Sequence, residues 1–116
     1  MLKLVLALTL ASAPSLGLAA SRQPTWKVLA DCSAAYRANA QISDPDRASS
    51  MKAMISEEAD DYAKAATGDY RTKMKASADR AHRRVEAYVV KRLSDYAAQP
   101  RSAIEHIIDA CPQVGG

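Results

Sequence analysis

Large aliphatic side chains are scarce in this 116-residue chain, and their scarcity limits what it can fold into. After residue 20 there are only twelve leucines, isoleucines and valines and no phenylalanine, against nineteen alanines. So few aliphatic residues would by themselves indicate disorder. Alanine, however, is the best helix former, and the apolar residues recur at intervals of three and four. The sequence therefore predicts an all-α protein with a thin core.

The first twenty residues have the order of a secretory signal peptide. Lys3 precedes an apolar run over 4–10, and small residues follow as far as Ala19 and Ala20. A charged start, an apolar stretch and a small-x-small site are the three parts of such a signal. A membrane-spanning helix would need roughly 20 apolar residues. We expect cleavage after Ala19 or Ala20, which leaves one periplasmic or secreted domain, 21–116, without a transmembrane segment.

Two cysteines, Cys32 and Cys111, lie near opposite ends of the expected exported domain. Export takes a chain to an oxidising compartment, where two cysteines pair more often than they stay reduced. A small domain with a thin core also has little stability, and such domains commonly contain a disulfide. We expect one intramolecular bond that closes a loop of about 80 residues. Two free thiols, or a bond between two chains, are the alternatives.

The apolar period predicts four helices with short connections. Short connections favour antiparallel neighbours, so the expected fold is a small antiparallel helical bundle closed by the disulfide. Both cysteines lie on apolar faces of their helices. The expected ranges are 26–41, 45–67, 70–97 and 100–111.

Helix boundaries follow from capping residues. Thr25 can cap the first helix, because its hydroxyl can accept a free amide of the first turn. Asp44 is expected to cap the second helix, with Pro45 in its first turn. Gly68 followed by Asp69 is typical of a helix end and a new cap, so we expect a break there. One continuous helix through Gly68 is the alternative.

The third predicted helix carries a candidate binding site. Lys73, Arg80, Arg84 and Lys91 fall within about 40° of one another and form a line about 27 Å long, which we call the basic line. Tyr88 lies near Arg84 and Lys91, and tyrosine beside arginine is favoured at protein interfaces. This pattern indicates an anionic partner such as lipid head groups, lipopolysaccharide, nucleic acid or an acidic protein. An ordinary solvated helix face is the alternative.

Other chemistries are disfavoured. Without Lys3 the net charge falls from +3 to +2, a small excess that argues against nucleic acid as the partner. His82 and His106 are the only histidines, and no metal-ligand spacing, nucleophile elbow or phosphate-binding glycine loop occurs. The sequence therefore predicts no catalytic residue, no metal and no cofactor. A small enzyme or metal protein with a site assembled from separate helices is a minor alternative.

The leading functional interpretation is a non-catalytic interaction module with a chaperone-, inhibitor- or immunity-like role. The alternative is an anion or envelope-surface binder that acts through the basic line. Salt-dependent binding to anionic vesicles would favour the second interpretation. The oligomeric state stays open, with Met51, Met54 and Tyr62 as one candidate dimer face.

Overall fold

The computed structural model describes residues 25–42, 44 and 46–114. The expected signal peptide, residues 1–20, lies outside them. The described residues form four helices and no strand, which confirms an all-α helical bundle. The helices are α1 (Trp26–Gln41), α2 (Ser49–Met74), α3 (Ala78–Ala97) and α4 (Arg101–Asp109).

The central helix is α1, which contacts each of the other three helices. Its bounds are those predicted from the sequence. The hydroxyl of Thr25 accepts a hydrogen bond from the amide of Val28 at 3.4 Å, as expected of an N-cap. Capping and apolar period agree here, so the sequence alone defines this helix.

Small side chains allow α1 to lie close to its neighbours. Ala30, Ala34 and Ala35 are completely buried along it. Ser33 is also buried, and its hydroxyl donates to the backbone carbonyl of Ala59 in α2 at 2.8 Å. The buried hydroxyl is therefore satisfied, and it adds a polar contact between two closely packed helices.

The predicted disulfide between Cys32 and Cys111 is confirmed. The two Cα atoms lie 6.0 Å apart, within the usual range for a disulfide. Ile104 of α4 is buried, and the hydroxyl of Tyr62 donates to the backbone carbonyl of Pro112, the residue after Cys111. The bond thus connects the segment after α4 to the central helix.

The start of α2 differs from the prediction. The helix begins at Ser49, four residues later than expected. Asp44 does not cap it, because its carboxylate accepts the amide of Asp46 at 3.0 Å and pairs with Arg101 at 3.0 Å. A side chain that closes a local turn in this way competes with helix initiation.

The predicted helix break at Gly68 is wrong, and α2 continues to Met74. A Cβ atom placed on Gly68 would meet nothing within 4 Å, so no close approach requires glycine there. Ala66 and Tyr70, on either side of it, are both buried. Their burial in one continuous helix outweighs the roughly 1 kcal/mol that glycine costs in a helix interior.

The chain leaves α2 at Lys75, which has a left-handed backbone with φ 52°. The amide of Ala76 donates to the carbonyl of Arg71 at 3.1 Å, a bond that satisfies an unpaired carbonyl at the helix end. The hydroxyl of Ser77 then accepts the amide of Arg80 at 3.1 Å and caps α3. The third helix therefore begins eight residues later than predicted.

The last helix begins at Arg101, within one residue of the prediction, and Pro100 is its N-cap. It ends at Asp109, two residues before the predicted end, so Cys111 lies after the helix and not on its face. Among the helices that the structure describes, none is both long enough and apolar enough to span a bilayer.

Candidate functional site

The sequence predicted that the four residues of the basic line share one helix, and this prediction is wrong. Arg80, Arg84 and Lys91 lie exposed on α3, at spacings that place them on one face. Lys73 lies on α2, where its ammonium pairs with the carboxylate of Asp69 at 3.1 Å. The prediction of a single continuous line fails because the chain turns at 75–77.

A groove of about 310 Å³ lies between the first turn of α1 and the middle of α3. It combines three residues singled out from the sequence, Arg84, Tyr88 and Lys91, with two that the sequence did not indicate, Trp26 and Lys27. We call this site the basic groove. Its lining residues are Trp26, Lys27, Arg84, Ala87, Tyr88 and Lys91.

Aromatic packing fixes the walls of the basic groove. The ring of Trp26 meets Tyr70 edge to face at 5.0 Å and Tyr88 at 5.2 Å, measured between centroids. Pairs of this geometry contribute about 0.5–1.5 kcal/mol beyond their area burial. The ammonium of Lys27 lies 5.8 Å from the Trp26 ring centroid, a cation–π contact. The indole ring thus anchors α1 against two helices and positions one cation of the groove.

The positive charge of the basic groove is not paired with any carboxylate of the described residues. No carboxylate within 25–42, 44 and 46–114 forms an ion pair with Lys27, Arg84 or Lys91. The nearby carboxylate of Asp31 pairs instead with Arg92 at 2.8 Å. The lining itself contains no acidic residue. Three cations therefore line one concave surface without an ion pair to any carboxylate of the described residues.

Tyr88 contributes a neutral hydroxyl to the basic groove. Burial, followed by the hydrogen bond and the charge of Asp31, raises the pKa of Tyr88 to about 12, although the charge of Arg92 acts in the opposite direction. The phenol therefore stays protonated at neutral pH and can act as a hydrogen-bond donor or acceptor.

The raised pKa values of Tyr62 and Tyr88 predict a loss of stability at alkaline pH. The pKa of Tyr62 is also raised to about 12, mainly by burial. A pKa raised in the folded state means that the stability contribution is complete below the unfolded pKa and is lost as pH rises through the folded pKa. We expect the free energy of unfolding, measured with urea by circular dichroism, to fall between about pH 10 and about pH 12. Replacing Tyr62 and Tyr88 by Phe should reduce this fall. An absorbance titration in which every tyrosine ionises near pH 10 would contradict the expectation.

A second cavity of about 310 Å³ opens among polar residues of α1, α2 and α3. Arg37 donates two hydrogen bonds to Glu86 here, at 2.8 and 3.0 Å. The Arg37 hydrogen bond lowers the pKa of Glu86, and the two charges neutralise each other. His82 lines this cavity too, whereas His106 is exposed on α4. The part of the chain that the structure describes has no cluster of three or more His, Cys, Asp or Glu able to hold a metal ion.

The candidate dimer face is only partly at the surface. Met51 and Met54 are 53 % and 68 % exposed on α2. Tyr62 is buried and stacks on Tyr36, with 5.3 Å between ring centroids. The methionines are therefore accessible to another molecule, and Tyr62 is not.

Trp26 and Lys27 could not be assigned to a site from the sequence. They belong to the first turn of the first helix, far along the chain from Arg84 and Lys91. Only the packing of α1 on α3 brings the two pairs together. The one sequence signal is that the sole tryptophan of the chain is followed directly by a lysine.

Comparison with protein-family models, with curated proteins and with solved structures gave no match to this chain. The functional proposal therefore depends on its own sequence and on the geometry of the basic groove.

Proposed function

We propose that this chain is a small exported, non-catalytic binding module that acts in the periplasm or outside the cell. Its partner presents an anionic group, which the basic groove binds. The observation that carries the proposal is that Lys27, Arg84 and Lys91 converge on one groove without an ion pair to any described carboxylate. Like charges gathered in a concave site raise the local concentration of an oppositely charged ligand.

Two kinds of partner fit such a groove. In a chaperone-, inhibitor- or immunity-like role, the groove would bind acidic side chains of another protein, and arginine with aromatic residues is typical of the centre of such interfaces. In an envelope-surface role, it would bind anionic head groups. Both interactions would weaken as salt screens the charges.

A non-catalytic role is supported by the kinds of group that line the basic groove. They are three cations, two aromatic rings and one alanine methyl group. Cations and aromatic rings are suited to binding an anion with an apolar neighbour. Neither of the two histidines lines the groove, so the usual acid-base group of enzymes is not part of it.

Neutralising the groove should abolish most of its binding to anions. We expect the variant Lys27→Gln/Arg84→Gln/Lys91→Gln to bind a polyglutamate peptide or phosphatidylglycerol vesicles about thirtyfold more weakly at low salt, because three exposed ionic contacts together contribute about 2 kcal/mol. Fluorescence anisotropy of the labelled peptide and co-sedimentation with the vesicles measure the two affinities.

A matched control separates the groove from net charge. Lys73, Arg83 and Arg101 each pair with a carboxylate of their own helix, Arg101 also pairs with Asp44, and none of the three lines the basic groove. Replacing these three by Gln removes the same charge and should leave the affinity within about twofold. Equal weakening in both triple variants would show that binding follows net charge alone and would contradict the proposal. Stronger binding of the peptide favours a protein partner, and stronger binding of the vesicles favours the envelope surface.

A further inference from the structure

The three cationic side chains of the basic groove differ in how they donate hydrogen bonds to the oxygen atoms of an anion. Arg84 offers a planar guanidinium that can donate to two oxygens at once, and Lys27 and Lys91 offer compact ammonium groups. A carboxylate has two oxygens and one negative charge, so it would leave much of this positive charge uncompensated. A phosphomonoester has three terminal oxygens and a charge of about −1.5 to −2 at neutral pH. Its oxygens and its charge match three cations more closely.

The remaining walls of the basic groove are apolar. The rings of Trp26 and Tyr88 and the methyl group of Ala87 line it. Its volume of about 310 Å³ is near the lower end of small-molecule pockets, which range from about 300 to 1,000 Å³. Inorganic phosphate would leave these walls in contact with water, whereas an apolar substituent on the phosphate would cover them.

We infer that the basic groove binds a phosphomonoester dianion joined to a short apolar or ring-containing group. The inference rests on the proposed function and names the anionic group that the partner presents. Arg84 and the two lysines bind the phosphate oxygens, and the apolar part lies against Trp26, Ala87 and Tyr88. The same chemistry occurs in a soluble organic phosphate and in a phosphomonoester head group of a lipid.

Isothermal titration calorimetry of the whole protein tests this with small probes. Phenyl phosphate should bind about tenfold more tightly than phenyl sulfate, which has the same shape but one negative charge less. The additional charge strengthens the charge-assisted hydrogen bonds from the three cations. It should also bind about tenfold more tightly than inorganic phosphate, which lacks the ring. Lowering the pH from about 7.5 to about 5 should remove the preference for phenyl phosphate over phenyl sulfate. The second phosphate pKa is about 6, so at the lower pH both ligands carry about one negative charge. The groove lining contains no histidine or carboxylate that would titrate over this range.

Vesicles identify the source of the phosphomonoester. Phosphatidic acid carries a phosphomonoester, and phosphatidylglycerol carries a singly charged diester. Preference for phosphatidic acid vesicles, without binding of phenyl phosphate, supports the inference and indicates a lipid head group. Binding of phenyl phosphate supports it and indicates a soluble ligand. In either case the Lys27→Gln/Arg84→Gln/Lys91→Gln variant should lose the preference, and the Lys73→Gln/Arg83→Gln/Arg101→Gln control should keep it.

The inference is overturned if phenyl phosphate binds no better than phenyl sulfate and phosphatidic acid vesicles bind no better than phosphatidylglycerol vesicles. It is also overturned if the preference survives in the groove variant. If the wild type still binds polyglutamate or phosphatidylglycerol vesicles, and only the groove variant fails to do so, the proposed function stands and the ligand class alone is wrong. If the groove variant binds these polyanions as well as the wild type, both are wrong.

Discussion

Removing the disulfide between Cys32 and Cys111 is expected to lower the free energy of unfolding by about 4 kcal/mol. The bond joins residues 79 positions apart, so it closes a long loop and reduces the conformational entropy of the unfolded chain. Small domains have about 5–15 kcal/mol of stability in total. One covalent bond therefore contributes a large share of the stability of this thin-cored protein.

Within the structure, removal of the disulfide should destabilise α4 more than the other helices. This helix packs mainly against α1, and Ile104 is its one fully buried residue. It has nine residues, too few to be stable as an isolated helix. Without the disulfide, the Arg101 ion pair to Asp44 and the Tyr62 hydrogen bond to Pro112 remain to hold this end of the chain. We expect α4 to open before the rest of the bundle unfolds.

Urea unfolding of the oxidised protein, the reduced protein and the Cys32→Ala/Cys111→Ala variant measures the global effect. The reduced protein and the variant should agree and should both unfold at lower urea than the oxidised form. Hydrogen exchange at residues 104–111 measures the local effect, and these amides should lose protection first. Identical urea midpoints with and without reductant would contradict the expected contribution.

Trp26→Ala is expected to destabilise the protein by about 3–5 kcal/mol, the usual range for loss of a buried large aromatic side chain. Trp26 is only 9 % exposed and contacts Tyr70 of α2 and Tyr88 of α3. Few large side chains are available to fill the resulting cavity, because the adjoining core of α1 is mostly alanine. The substitution should also release Lys27, which lies over the indole ring.

Two further variants test the reason for this loss. Val28→Ala removes an apolar side chain that is 43 % exposed in the same turn, and it should cost less than about 0.5 kcal/mol. Trp26→Phe keeps an aromatic ring and should retain most of the stability. Urea unfolding by circular dichroism gives all three values. A loss in Trp26→Ala no greater than in Val28→Ala would show that the ring does not connect the three helices.

Local signals predicted the elements in which cap, period and burial agree. The first helix was predicted in full, because Thr25 caps it and its apolar residues recur regularly. The disulfide followed from the expected compartment and from the predicted position of Cys32 and Cys111 on apolar helix faces, although Cys111 lies just after the end of α4. The helix needed only residues close together in the chain, and the disulfide needed in addition an assumption about oxidation.

Local sequence signals gave wrong helix boundaries where tertiary packing overrides the local conformational preference. Gly68 is tolerated inside α2 because buried neighbours keep the helix continuous, and Lys75 ends it with a left-handed backbone that non-glycine residues seldom adopt. This shift of the break removed Lys73 from the face shared by Arg84 and Lys91. The basic groove itself could not be predicted, because it exists only where α1 meets α3.

Nuclear magnetic resonance offers the most direct test of the basic groove as a binding site. Trp26 is the only tryptophan, so its indole N–H gives one resonance that reports on the groove. Titrating isotope-labelled protein with a polyglutamate peptide at low salt should shift this resonance and the amides of residues 26–28 and 84–91. Shifts concentrated around Met51 and Met54, or no shift at Trp26 at saturating peptide, would contradict the account.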